Sequence, residues 1–288
     1  MTRVTYYPGC SLESTAREYK QSMVETFRLL DIGLVELEDW NCCGATSAHS
    51  LDGDLALGLP ARNLALASAT TDLMVVPCAA CYSRQKTAEV LLDENPALKL
   101  ELERNLGRSF EHPVSVKNIL DFFLGHLELI RSRVQRPLSE LKVVCYYGCL
   151  LTRPPKITGE TSYEDPQGMD EIVQALGAIP LPWSYKTECC GGSHSIARAD
   201  LVHVLVSKIL AMAREAGAQA IVTACPLCQM NLDTRQRGAE RVSGEEFDIP
   251  AIYITELMSL ALGSPKTGEF FKGHFVSPGK ILDSSTTV

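Results

Sequence analysis

Short apolar runs recur along the chain, each closing just before a cysteine, and longer stretches with helical spacing lie between them. Residues 3–7 and 141–147 are two such runs, and both end at Gly-Cys. Residues 72–76 and 219–223 are two more, and both lead into Cys-x-x-Cys. Continuous apolar segments this short fit the buried strands of a parallel sheet. Weaker runs at 34–37 and 181–183 predict a further strand in each half. Amphipathic periodicity predicts helices over 15–30, 55–68, 169–176 and 201–216. Strands alternating with helices imply βαβ units and a sheet covered on both faces. The expected fold class is α/β.

The pattern occurs twice. Cys10 is followed after 31 residues by Cys42-Cys43-Gly44, and after 34 more by Cys78-x-x-Cys81. Cys149 is followed after 39 residues by Cys189-Cys190-Gly191, and after 34 more by Cys225-x-x-Cys228. The flanks repeat too: YYPGC (6–10) matches CYYGC (145–149), and LMVVPCAAC (73–81) matches AIVTACPLC (220–228). CCGATSAHS (42–50) resembles CCGGSHS (189–195), and PVSVKNILDFFL (113–124) resembles PAIYITELMSLAL (250–262). Agreement over this many landmarks implies duplication. We expect two modules, 1–139 and 140–288, each a small parallel sheet flanked by helices. Residues 125–140 read as a helical tail and linker. Residues 152–168, rich in turn formers, read as a loop inserted in the second module.

Composition narrows the function. With 45% hydrophobic residues the chain is too apolar to be disordered. Its apolar stretches are too interrupted to span a membrane; 55–69 is broken by Pro60, Arg62 and Asn63. The opening MTRVTYYPGC lacks the apolar region of a signal peptide, so a cytoplasmic location is expected. A formal charge of −8 and the absence of a basic block argue against nucleic acid. No GxGxxG stands between a strand and a helix, so no flavin or nucleotide is expected on this chain.

Eleven cysteines are too few for a disulfide scaffold of this length. Clustered thiols in a reducing compartment point to metal or redox chemistry. One Cys-x-x-Cys alone fits zinc, a redox dithiol or an iron–sulfur ligand. Ligands in parallel α/β sheets bind beyond the carboxyl ends of the strands, so three loops per module can bring five thiols to one place. Structural zinc closes at four ligands. Five thiols, two of them adjacent, suit a multi-iron group better. Cys145 has no counterpart, because Tyr6 stands at its matching position, and it reads as a buried strand-end thiol. His49 and His194 follow the two CCG motifs and read first as loop residues, with hydrogen bonding to a cluster sulfur or proton donation as the alternative. Asn231 and Asp233 read as helix-capping or solvated positions. Arg84, Lys86, Arg153 and Lys156 read as surface cations, of interest if the substrate is an anion. The 264–288 tail, with Phe270-Phe271, and the 117–134 region are candidate interfaces, although the tail could instead fold back.

With YYPGC, CCGATSAHS, PCAACYSR, CYYGC, CCGG and CPLCQMNLD in this order, the chain resembles the heterodisulfide reductase B-type subunits over nearly its whole length. CCG modules also occur in iron–sulfur subunits of glycolate and lactate oxidation systems and of some succinate dehydrogenases or quinone reductases. The resemblance implies a noncubane 4Fe–4S cluster in each module. One would use Cys10, Cys42, Cys43, Cys78 and Cys81, and the other Cys149, Cys189, Cys190, Cys225 and Cys228. It implies reduction of a disulfide, the mixed disulfide of coenzyme M and coenzyme B or an analogue, to two thiols at the clusters. It also implies a ferredoxin-like C subunit and a flavin-containing A subunit as partners. The alternative is an electron-relay subunit of a hydroxy-acid-oxidising or quinone-linked complex.

Overall fold

The computed structural model describes residues 3–45, 48–279 and 281. Its strands are β1 (Arg3–Tyr6), β2 (Gly33–Glu36), β3 (Leu73–Val76) and β4 (Ser115–Asn118), then β5 (Lys142–Tyr146), β6 (Ile179–Pro180), β7 (Ala220–Thr223) and β8 (Ala251–Tyr253). They form two four-stranded parallel sheets, ordered β2-β1-β3-β4 and β6-β5-β7-β8. The orders are the same once the second set is renumbered, as duplication requires. The central strands β3, β5 and β7 are almost wholly buried, which explains their unbroken apolar sequence.

The helices follow the apolar periodicity. Residues 15–30 form the helix Arg17–Leu29, 55–68 the helix Gly53–Ser68, 169–176 the helix Gly168–Ala175 and 201–216 the helix Ala199–Glu215. Asp52 starts Gly53–Ser68 by accepting the Asp54 and Leu55 amides at 2.8 and 2.9 Å. The tail at 125–140 contains the helix Leu127–Arg133, and the insertion holds one short helix, Pro155–Thr158. The strand expected at 181–183 sits slightly earlier and is only two residues long. Trp183 instead turns its indole N–H onto the Cys145 carbonyl at 3.0 Å.

The two sheets are joined by a reciprocal exchange of helices. Ile119–Leu124, which follows β4, packs on Gly168–Ala175 of the other half. Ile254–Ala261, which follows β8, packs on Arg17–Leu29 of the first half. The second seam is polar as well as apolar. Ser22 Oγ lies 2.7 Å from Thr255 Oγ1, and Thr26 Oγ1 donates to the Thr255 carbonyl at 3.0 Å. Within the first half, Phe27 stacks on Phe122 of Ile119–Leu124 at 5.2 Å between centroids. Parts of the regions 117–134 and 264–279 pack within the chain, and other parts are exposed. Phe270 and Phe271 are buried, while Phe275 is 78% exposed; Lys280 and residues 282–288 of the tail lie outside the described residues.

Candidate metal centre

Every cysteine group leaves the carboxyl end of a strand. Cys10 lies in the short helix Gly9–Glu13 after β1, and Cys42 and Cys43 lie in the loop after β2. Cys78 caps the helix Ala79–Glu94, with Cys81 in its first turn. The second module repeats this: Cys149 follows β5, Cys189 and Cys190 follow β6, and Cys225 caps the helix Pro226–Thr234 with Cys228 inside it. A helix amino terminus favours anionic sulfur, which gives Cys-x-x-Cys a physical reason to sit there.

The Gly-Cys glycines are a second device. Gly9 and Gly148 hold φ of +69° and +67°, which a side chain resists. A Cβ on Gly9 would lie 3.0 Å from Cys81 Sγ, and one on Gly148 would lie 2.9 Å from Cys228 Sγ. Each glycine thus lets a strand end pass against the far sulfur of its own module. Gly148→Ala is expected to cost about 1–2 kcal/mol from its backbone alone and also to displace Cys228. Gly107→Ala, at φ +61° with open space around it, carries only the backbone penalty. Denaturation together with iron analysis checks this: both variants lose stability, and only Gly148→Ala loses bound iron.

The sulfurs gather in pairs within each module. Cys43 Sγ lies 3.2 Å from Cys81 Sγ, and Cys190 Sγ lies 3.5 Å from Cys228 Sγ. Cys42 acts electrostatically on Cys43, and Cys78 on Cys81. Cys78 and Cys225 influence each other across the module boundary, and Cys228 acts on Cys225. Cys149 acts on Cys189, and Cys10 adds its charge to Cys42. The Gly44 and Gly191 amides point at Cys42 and Cys189 sulfur, at 3.5 and 3.3 Å.

Their mutual influence separates the thiols into two sets. The neighbouring thiols of Cys42 and then Cys81 hold the Cys43 thiol down at about 3. Those of Cys228 and then Cys78 hold Cys225 well below the ordinary thiol range. Cys149 lowers Cys189 to about 6, and His194 adds to that effect. Cys42, Cys78, Cys81, Cys149 and Cys228 are pushed up. A buried thiolate is the form a metal requires. Among the described residues no three His, Cys, Asp or Glu side chains gather closely enough to hold a single ion. The paired, spread sulfurs suit ligands divided among several iron atoms, so the donor set fits an iron–sulfur group in chemistry and in number.

Two asparagines shape the loops, and sequence reasoning missed their role. Asn63 Oδ1 accepts the Asn41 amide at 2.9 Å, and its Nδ2 donates to the Asn41 carbonyl at 3.0 Å, just before Cys42. Asn231 Nδ2 donates to the Cys190 carbonyl at 2.9 Å and its Oδ1 accepts from Ser195 Oγ at 2.8 Å. Both side chains are fully buried. The signal was there: Asn63 interrupts an otherwise apolar helix face.

Other candidates, His194 beside Cys189 excepted, sit apart from the sulfurs. Cys145 is buried in β5, where Asp170 and Lys186 are its charged neighbours. His49 and His194 are exposed. Arg153 braces the insertion through Glu164 at 2.7 Å and Thr187 Oγ1 at 3.1 Å. Lys86 pairs with Glu89 at 2.8 Å, Arg84 is half-buried and Lys156 is exposed. Asp233 accepts the Phe275 and Val276 amides, both at 2.8 Å. A cavity of about 80 Å³ lies among the second-module sulfurs, walled by Cys149, Cys189, Cys190, Cys225 and Cys228 and, from the first module, by Ala79 and Ala80.

Residues 4–84 and 143–233 each match the cysteine-rich domain designated CCG. The chain is 34% identical to the 8-methylmenaquinol:fumarate reductase membrane anchor subunit of Wolinella succinogenes, over 90% of this chain and 92% of that one. It is 29% identical to the B-type subunit of the Ferredoxin/F(420)H(2)-dependent CoB-CoM heterodisulfide reductase of Methanosarcina acetivorans, over 91% and 90% of the two chains. Among solved structures, a hypothetical protein from Helicobacter pylori superposes with a TM-score of 0.75 at 10% identity. That match covers 96% of this chain but about half (52%) of the other, and it supports the fold alone. No helix among the described residues is long and apolar enough to cross a membrane.

Proposed function

The chain belongs to the CCG cysteine-rich domain family, in the tandem form shared with the heterodisulfide reductase B-type subunits, and from that premise we propose that it is the disulfide-reducing iron–sulfur subunit of a multi-subunit oxidoreductase. Cys10, Cys42, Cys43, Cys78 and Cys81 would hold one noncubane 4Fe–4S cluster. Cys149, Cys189, Cys190, Cys225 and Cys228 would hold the other. When bound, the clusters supply electrons one at a time at sulfur-ligated iron.

The observation that carries this reading is the meeting of the two Cys-x-x-Cys loops at the module boundary, where one hydroxyl, that of Tyr19, lies 3.2 Å from the Pro77 carbonyl before Cys78 and 3.3 Å from the Ala224 carbonyl before Cys225. Cleaving a disulfide takes two electrons and two protons and yields two thiols. Two one-electron groups side by side meet the electron count. The cavity of about 80 Å³ is walled by all five second-module cysteines and is the space their cluster would fill, so a disulfide would approach from its open side. Ala79, Ala80 and Leu227 add small or apolar surface to its wall, which limits water around the sulfurs. The Gly44 and Gly191 amides favour anionic sulfur at the loops. Electrons would come from a ferredoxin-like subunit, supplied in turn by a flavin-containing one.

The similarity to a menaquinol:fumarate reductase subunit favours a second reading, in which the same groups relay electrons between a quinol and a partner. Anaerobically purified protein, reduced with a one-electron viologen dye, separates the two. Under the first reading it reoxidises on addition of the coenzyme M–coenzyme B disulfide or an analogue and releases two thiols per disulfide. Reoxidation by a menaquinone analogue with no thiol release overturns it in favour of the relay.

A further inference from the structure

We propose that His274, clamped between Glu256 and Gln229, is a protonation site linked to the redox state of the cysteine-bound centre, taking up a proton from solvent as an electron arrives. The inference rests on the iron–sulfur reading above.

The site packs against the helix Pro226–Thr234 through Gln229, and nothing in the disulfide chemistry uses it. His274 Nε2 lies 2.9 and 3.1 Å from the two Glu256 oxygens, with both side chains wholly shielded from solvent. A buried carboxylate and imidazole at this distance share a proton whose position depends on the surrounding charge. Three carboxylates face the imidazole: Glu256 from the helix Ile254–Ala261, Asp233 from Pro226–Thr234 and half-buried Glu18 from Arg17–Leu29. They raise its proton affinity against the cost of burial. Glu18 also approaches Gly273, one residue before His274, and it gives the proton a way in from the surface.

Gln229 connects this site to the cysteines. It follows Cys228 directly, and its Nε2 faces three acceptors: the Ala251 carbonyl at 3.2 Å, His274 Nδ1 at 3.3 Å and Asp233 Oδ2 at 3.4 Å. Two N–H groups cannot fully satisfy three acceptors. With Nδ1 bare, the amide donates to it and its Oε1 accepts from Tyr253 Oη at 3.2 Å. A proton on Nδ1 needs an acceptor, and rotating the amide presents Oε1 to it while withdrawing Oε1 from Tyr253. Tyr253 stacks on Tyr19 at 4.1 Å, and the Tyr19 hydroxyl touches the Pro77 and Ala224 carbonyls, each one residue before a cysteine. Protonation at His274 is thereby communicated to the two Cys-x-x-Cys loops.

The step balances. One electron from the donor subunit enters the centre, one proton from solvent binds His274, and no bond is made or broken elsewhere. Added negative charge raises the proton affinity of His274, so the midpoint potential falls as pH rises. The limit for one proton per electron is a tenfold change per pH unit, 59 mV.

The test is a dye-mediated redox titration of anaerobic holoprotein from pH 5.5 to 8.5, beside iron content and thermal midpoint. The wild type is expected to show a falling potential across part of this range. His274→Gln is expected to flatten it at unchanged iron content. Gln229→Met keeps His274 titrating in histidine NMR and is also expected to weaken the slope. Iron-replete wild type and His274→Gln with the same slope overturn the proposal alone. Protein that binds no iron overturns the iron–sulfur reading and this proposal together.

Discussion

Replacing Cys190 by serine is expected to lower bound iron from about eight atoms per chain to about four, counting four per cluster, and to abolish two-electron turnover. Cys190 is buried in contact with Cys228, and Asn231 holds its carbonyl. Its loop is therefore fixed whether or not metal is bound, and serine keeps the fold while removing a soft thiolate donor. The first module keeps its five cysteines, so half of the iron should stay. One remaining cluster delivers one electron, which cannot close a two-electron cleavage. Cys145→Ser is the matched control. That thiol is equally buried, but it lies with Asp170 and Lys186, so about eight irons should remain. Iron and acid-labile sulfide assays check both variants. Full iron in Cys190→Ser, or iron loss in Cys145→Ser, contradicts the ligand assignment.

How much of this was legible in the sequence depended on whether the determinant was local. The runs before Cys78, Cys149 and Cys225 are readable because a strand buried on both faces must be apolar almost throughout, and the run before Cys10 because it repeats the one before Cys149. β4 was not, because Ser115–Asn118 alternates buried and exposed over only four residues. β8 was hidden because Ala251–Tyr253 runs without a break into the equally apolar helix Ile254–Ala261. Cysteine order gave the two modules but not the contact of the two Cys-x-x-Cys loops through the Tyr19 hydroxyl. That contact depends on the exchange of helices between halves, which no local window contains. Asn231 reads as a capping or solvated position, and Asn63 only as a break in an apolar stretch. Their partners are atoms of distant loops, most of them backbone, and backbone leaves no trace in a residue pattern.

The module junction supplies the other large effect. Tyr19→Ala is expected to destabilise the chain by about 3–5 kcal/mol, as for other buried aromatic truncations, whereas Tyr19→Phe should cost about 1–2 kcal/mol. The ring of Tyr19 is fully buried and stacks parallel to that of Tyr253, with 1° between the ring planes. Alanine removes this stacking and opens a cavity where the first module's helix meets the second module's sheet. Phenylalanine keeps the packing and loses only the hydroxyl, which lies 3.2 Å from the Pro77 carbonyl and 3.3 Å from that of Ala224. One proton serves two buried acceptors there, so its loss costs more than that of a solvent-exposed bond. Because the two acceptors belong to different modules, the ring and hydroxyl together act as a tie between them. Urea unfolding followed by tyrosine fluorescence and by circular dichroism should give one shared transition for the wild type and for Tyr19→Phe. In Tyr19→Ala the two probes should separate, as each module begins to unfold by itself. Coincident transitions in all three proteins, with Ala and Phe equally stable, would show that the seam between Arg17–Leu29 and Ile254–Ala261 holds the halves together without Tyr19.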